Sequence, residues 1–426
     1  MSFFRRSRLL TLGLILAALL SLGVGVSAQD GVTINILMET VPDTDFVQEL
    51  LPRFEEETGI KVNIETLTYV AIRERLLPQF VAPQGAYDVI VVDKQWVGEF
   101  VGADWLLPLD DYIAESGFDT GVYIPAMFEM LGAVNGVTYM LPFYNYTMGL
   151  VYRTDIFEAE GLEVPQSVEE FVEVAKALTK DTNGDGAIDQ YGITMQLARG
   201  VGIHAEWANQ FFSLGGWYYD DEWNATVNDE AGVQALKNLI DLYQNAAPEG
   251  ATGYNFDEQA EIMRQGQAAM MVTYSWMLAS LNNADQSQVA GNVAMAVMPG
   301  GHGVQGGWGW AIPRSAPNPD AAWQFINWVE SFEIAKERAL MGGQPTRSDV
   351  FEDPEVLEKY PYFDVIADMI AGAKPVPIFG GAAQMVDILA LQLSEAVAAG
   401  KDPQQALDEA AAAMNELVIG DPLVGR

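Results

Sequence analysis

The chain has 426 residues, 11% of them aromatic, no cysteine and a formal net charge of -37. The lack of cysteine excludes disulfides, thiolate metal sites and cysteine nucleophiles. The negative surface disfavours nucleic acid and anionic membranes as partners, and an acidic, aromatic-rich chain suits neutral polar ligands.

Residues 1–28 read as a signal peptide. Arg5, Arg6 and Arg8 form a positive start, Leu9 to Val26 carries no charge, and Val26-Ser27-Ala28 is a small-residue cleavage site. Arg5-Arg6 hints at twin-arginine export, but its surroundings favour the general secretory route. An uncleaved anchor is the alternative. With no cysteine to carry a lipid, the expected product is a soluble, exported, periplasmic chain of about 398 residues, long enough for two domains. No later stretch reads as a membrane span.

Val32 to Leu37 alternates as a strand does, and Asp43 to Thr58 follows as a helix burying Phe46, Val47, Leu50, Leu51 and Phe54, bent at Pro52 and ended by Gly59. Lys61 to Leu67 is the next strand, Tyr69 to Val81 a helix with a kink at Pro78, and Tyr87 to Val92 a continuous apolar strand. This alternation predicts an α/β fold with a mostly parallel sheet. Ligands in such sheets bind beyond the carboxyl ends of the strands, which singles out the loops Met38 to Asp43 and Asp93 to Trp96.

Gly136 to Tyr146 reads as an extended crossing with an aromatic cluster, leading into a strand from Met148 to Tyr152. Ser167 with Glu170 forms a capping box, Asn228 opens another helix, and Ala268 to Val272 is a buried strand running into Tyr274-Ser275-Trp276. Gly300 to Pro313 holds six glycines and two tryptophans, where the backbone turns sharply or lets a ligand approach. Asn318-Pro319 and Asp402-Pro403 begin the last two helices singled out by their caps.

Several of these pieces resemble the family 1 extracellular solute-binding proteins, the maltose-binding-protein-like sugar receptors of bacterial ABC importers. The most specific is Asp181-Thr182-Asn183-Gly184-Asp185-Gly186-Ala187-Ile188-Asp189-Gln190-Tyr191-Gly192. Leu107-Pro108-Leu109-Asp110, Gly309-Trp310-Ala311-Ile312-Pro313 and Gly342-Gly343-Gln344-Pro345-Thr346-Arg347 support it, in that order along the mature chain. The resemblance implies a two-lobed type II periplasmic-binding fold with discontinuous lobes joined by a three-segment hinge. The crossings would fall near Leu141 to Asn145, Met298 to Gly307 and Gly343 to Arg347. The N-lobe would be residues 31–142 plus 303–343 and the C-lobe 143–302 plus 344–426. It also implies an ABC transporter permease as partner, a monomeric receptor and no catalytic residue.

The ligand-binding candidates are aromatic: Trp96, Tyr144, Tyr146, Trp207, Tyr274, Trp276, Trp308 and Trp310, whose faces suit the C–H groups of a sugar ring. Glu39, Asp93, Asn145, Glu206 and Arg347 lie beside or among them and offer partners to hydroxyls. Any one tryptophan is more often a core residue. Trp310, expected on a strand, is less secure than Trp308. Asp181 to Asp189 imitates a calcium loop but has Gly192 where a bidentate glutamate belongs, and an Asx-turn needs the same residues. His204 and His302 are the only histidines, too few for a multi-histidine metal site; neither a metal nor a cofactor is expected. The expected function is capture of a carbohydrate in an interlobe cleft for delivery to the permease. The alternatives are a secreted glycoside hydrolase and a receptor for a cation such as a polyamine.

Overall fold

In the computed structural model, which describes residues 31–424, strand β1 (Thr33–Glu39) pairs in parallel with β2 (Lys61–Leu67) and β3 (Val89–Asp93). The expected signal peptide lies outside the described residues. All five residues of β3 are buried, as in a parallel strand covered on both faces. Each of its apolar side chains contributes about 1.5–3 kcal/mol by leaving water. Helix Pro42–Thr58 buries Val47 and Phe54, keeps Pro52 inside, and stops at Gly59, whose positive φ of 74° lets its N–H reach Glu55 O.

Most of the remaining strand pairings are antiparallel, where a mostly parallel sheet is expected; one, between Tyr191–Thr194 and Ala268–Tyr274, is parallel. After the short hairpin β4 (Ala133–Val134) and β5 (Val137–Thr138) comes β6 (Met140–Arg153), 14 residues long. Then follow β7 (Tyr191–Thr194), β8 (Ala268–Tyr274), β9 (Val293–Ala296) and β10 (Gln305–Ala311). The first half of β6 pairs antiparallel with β10, and β10 pairs antiparallel with β3. The second half of β6 pairs antiparallel with β8 and β9. The strand order is therefore β2-β1-β3-β10-β6-β8-β7, with β9 also on β6.

The buried side chains separate along β6. One core gathers Ile34 to Tyr146 and Trp308 to Ile370; the second gathers Met148 to Val304 and Val376 to Val418, with a smaller cluster beneath β8 and β9. The segment Gln344 to Arg347 runs beside the first half of β6: Asn145 N donates to Gln344 O (3.3 Å) and Thr346 Oγ1 to Pro142 O (3.0 Å). The three segments expected to cross thus lie side by side. Past them the packing differs from the expected division, because Val350, Phe351, Val356, Phe363, Ile366 and Ile370 join the first core. The chain reaches the second core only beyond Ile370.

Ser167 Oγ accepts from Glu170 N (3.2 Å), while the Glu170 carboxylate takes Gln166 N instead of closing a full box. Asn318 caps nothing with its side chain; it donates to Asp88 Oδ1 and ties helix Pro319–Val329 to the start of β3. In the Asp181 loop, Asp181 accepts from Gly184 N and Gly186 N, and Asp189 from Thr182 N and Asn183 N. Asn183 Oδ1 accepts from Asp185 N and Asp185 Oδ1 from Ala187 N, each two residues on as in an Asx-turn. Helix Ala382–Ala399 does have the length and composition of a membrane span, yet it buries Met385, Leu389 and Leu393 in the second core.

Candidate functional site

Beyond the carboxyl ends of β1 and β3, where such sheets place ligands, lies a cavity with about 610 Å³ of space, its open mouth included. Glu39 and Asp93, the last residues of those strands, reach it together with Val41, Tyr69, Lys94 and Gln95. Val201 lines it from the second core, Phe256 from the smaller cluster beneath β8 and β9, and Tyr274 and Trp276 from where the first core meets these two, while Tyr146, Gly306, Gly307 and Trp308 complete the lining. A Cβ at Gly306 would sit 2.5 Å from Tyr146 O and 2.9 Å from the Tyr274 ring. Only glycine lets β10 lie that close to its neighbours here.

The aromatic lining is held from behind. Trp308 meets Trp96 edge to face at 5.1 Å and Tyr69 at 5.9 Å. Tyr146 lies 4.5 Å from Tyr144 and 5.8 Å from Trp276, and Tyr274 lies 5.8 Å from Phe256. Two tyrosine hydroxyls fix carboxylates: Tyr144 donates to Glu39 (2.9 Å) and Tyr146 to Asp43 (2.7 Å).

Burial dominates the charges. It pushes the Glu39 carboxyl up to about 8, against the Tyr144 hydrogen bond and helped by the charges of Asp93 and Asp43. It raises Asp93 to about 6, opposed by Lys94, and lowers the Lys94 ammonium to about 8, opposed by Asp93. The Lys94 Nζ is buried with no protein partner. A buried donor left unpaired carries a desolvation cost that an acceptor on a ligand would relieve. The cavity therefore offers flat apolar faces with a few donors and acceptors between them.

Residues 40–335 match the family of bacterial extracellular solute-binding proteins. The chain belongs to that family. A probable amino-acid ABC transporter periplasmic-binding protein of Sinorhizobium fredii is 26% identical over 84% of this chain and 82% of its own. The mannitol-binding protein of Pseudomonas aeruginosa is 25% identical over 93% and 94%. Among solved structures, an ABC transporter solute-binding protein of Agrobacterium radiobacter in complex with ribitol superposes with a TM-score of 0.83, at 29% identity, over 91% of this chain and 99% of that one.

Of the candidates read from the sequence of this solute-binding protein, Glu39, Asp93, Tyr146, Tyr274, Trp276 and Trp308 line the cavity. Trp96 and Tyr144 stand behind them as supports, and Asn145 is buried, accepting from Thr147 Oγ1. Four others lie elsewhere. Trp207 stacks on Phe211 at 4.3 Å in the second core and donates to Gly232 O. Glu206 is buried beside it, accepting from Gln196 N and Gln259 Nε2. Trp310 packs on Phe143 at 4.0 Å and donates to the buried Glu330. Arg347 is held by Asp349 and by Glu330 O. The histidines are also occupied: His302 Nδ1 pairs with Gly372 O and His204 Nε2 with the Tyr218 hydroxyl.

Tyr69, Lys94, Gln95, Val201 and Phe256 were not among the sequence candidates. Lys94 and Gln95 sit in the loop after β3 that the strand-end rule selects, so that rule had already marked them. Tyr69, Val201 and Phe256 each begin a helix or precede its first turn in an unremarkable sequence setting, and no residue pattern separates them from other helix starts.

Proposed function

We propose that this solute-binding protein captures a carbohydrate or polyol in the cavity between its two cores and delivers it to an ABC transporter permease. The observation that carries the reading is the lining itself. Tyr69, Tyr146, Tyr274, Trp276 and Trp308 supply ring faces, and Glu39, Asp93, Lys94 and Gln95 supply partners for hydroxyls. The ligands of two of the similar proteins, mannitol and ribitol, have that chemistry. Residues 31–142 with 303–343 form one lobe and 143–302 with 344–426 the other, the segment from Ser348 to Ile370 packing back on the first. The lobes close about the ligand by hinge motion at the three adjacent segments. The chain works as a monomer without a cofactor, exported to the periplasm after its signal peptide is removed.

Melting the mature protein with D-mannitol, ribitol, maltose and spermidine tests this reading, because a ligand of the native state raises the melting temperature. A rise with a polyol or sugar is expected. A rise with spermidine alone replaces carbohydrate by a cation. A second reading is kept by one observation: two carboxyls, Glu39 and Asp93, line the same cavity, as the acid and base of a glycosidase must. Release of nitrophenol from chromogenic glycosides would establish a hydrolase instead.

A further inference from the structure

The two cores also meet away from the three crossing segments. Gly98 lies in the first turn of helix Val97–Gly102, which follows directly on Trp96 and the cavity loop. A Cβ at Gly98 would stand 2.2 Å from Phe379 O, 2.4 Å from its carbonyl carbon and 2.6 Å from its N. Those are backbone atoms, and no rotamer moves them aside. Phe379 belongs to the second core, fully buried, its ring edge-on to Tyr219 and Trp223.

The Phe379 backbone is also fixed from its own side. Gly380 N donates to Asp421 Oδ2 at 2.7 Å, and a Cβ at Gly381 would stand 2.6 Å from the Phe379 ring. Pro422 continues the contact, 3.8 Å from where a Gly102 Cβ would be. Ile378, Ala383 and Leu423 pack on the first core although Phe379 and Ala382 belong to the second. The contact is thus a backbone-to-backbone seat between one helix of the first core and one loop of the second.

We infer that Gly98 is the seat of a latch: the Phe379 loop closes onto it when the lobes come together, and any side chain at that position holds the cleft open. The inference rests on the two-lobe reading above but does not depend on what the ligand is. A Cβ costs the separated lobes nothing, since alanine suits a helix better than glycine. It opposes only the arrangement in which Phe379 sits on Gly98. Population shifts of this kind alter affinity without touching the ligand.

The test uses the lack of native cysteine. In a Gly102→Cys/Pro422→Cys chain, the rate of disulfide formation under fixed oxidant reads how often the loop meets the helix, with no ligand added. Adding Gly98→Ala is expected to slow that rate about tenfold or more, with the circular dichroism and the ligand-free melting temperature kept. Gly98→Val gives a stronger version, and Gly98→Ala alone decides where valine unfolds the chain. Crosslinking at the parental rate in folded Gly98→Ala overturns the latch. D-Mannitol titrations form the second arm: where the parent binds, Gly98→Ala should bind about tenfold more weakly or worse. Should crosslinking slow while D-mannitol fails to bind the parent, the latch stands and the polyol reading is what fails.

Discussion

The Tyr144 hydroxyl donates to Glu39 Oε2 across 2.9 Å from behind the cavity wall. Among the described residues it is the one hydrogen bond that favours the ionised carboxyl against burial and against the neighbouring charges of Asp93 and Asp43. An ionised carboxylate accepts hydroxyls more strongly than a neutral acid. Polyol affinity should therefore gain a component that rises with pH through about 8. Tyr144→Phe should move that midpoint to higher pH. Because Lys94 titrates in the same range, the comparison belongs in a Lys94→Met background. An unmoved midpoint would remove Glu39 from the ligand contacts.

Trp276 and Trp310 should respond oppositely to truncation. Trp276 lines the cavity, so Trp276→Ala should weaken binding by about 1–3 kcal/mol, the worth of a lost aromatic contact, with a small change in melting temperature. Trp310 is fully buried, packed on Phe143 and Phe325 and bonded to Glu330. Trp310→Ala should cost about 3–5 kcal/mol of stability, read by urea unfolding. The reverse pattern would exchange their roles.

Trp308 and Trp310 show where the sequence was legible and where it was not. Strands β1 to β3 and the helices between them follow from apolar spacing, and the strand-end rule then marks Glu39, Asp93, Lys94 and Gln95 without any structure. Trp308 and Trp310 are two residues apart and would share a face of a regular strand. The register of β10 against β3 is unbroken, Trp308 opposite Asp93 and Trp310 opposite Val91, and the extra residue at the irregularity, Phe143, falls on β6. What differs is the neighbours of the two rings: Trp96 and Tyr69 for one, Phe143 and Phe325 for the other. Those neighbours come from distant segments and leave no mark in composition. Nor does the sequence show that Arg347 is spent on Asp349, or that Glu206 and Trp207 sit on a helix whose residues Gly202 to Phe212 are all buried.

Lys94→Met should separate binding from stability. The Nζ is buried with no hydrogen-bond partner among the described residues, so its removal abolishes a desolvation cost. Methionine keeps most of the apolar stem. The variant should melt at or above the parent temperature yet bind its polyol about tenfold or more weakly, since a hydrogen bond from a charged group contributes about 1.5–3 kcal/mol. Lower stability with unchanged affinity would show that Lys94 serves the fold alone.

Glu206 carries the last prediction, which concerns pH. Its carboxyl is pushed up to about 8 by burial, against the Gln196 N–H and the Gln259 amide, from 4.5 when exposed. Glu39 shares that shift. The folded chain therefore holds protons that the unfolded chain has lost, and this stabilisation is present in acid and disappears as pH rises through 8. Lys94 acts with the opposite sign, but between about 8 and 10.5, and His204, lowered by burial to about 3, opposes it only below its exposed value of 6.5. The melting temperature should thus fall between about pH 6.5 and 8. Glutamine copies the neutral acid and keeps an oxygen for both Gln196 N and Gln259 Nε2, so Glu206→Gln should flatten that fall and raise the value at the alkaline end. A slope equal to the parent's would mean that Glu206 is already ionised within the core.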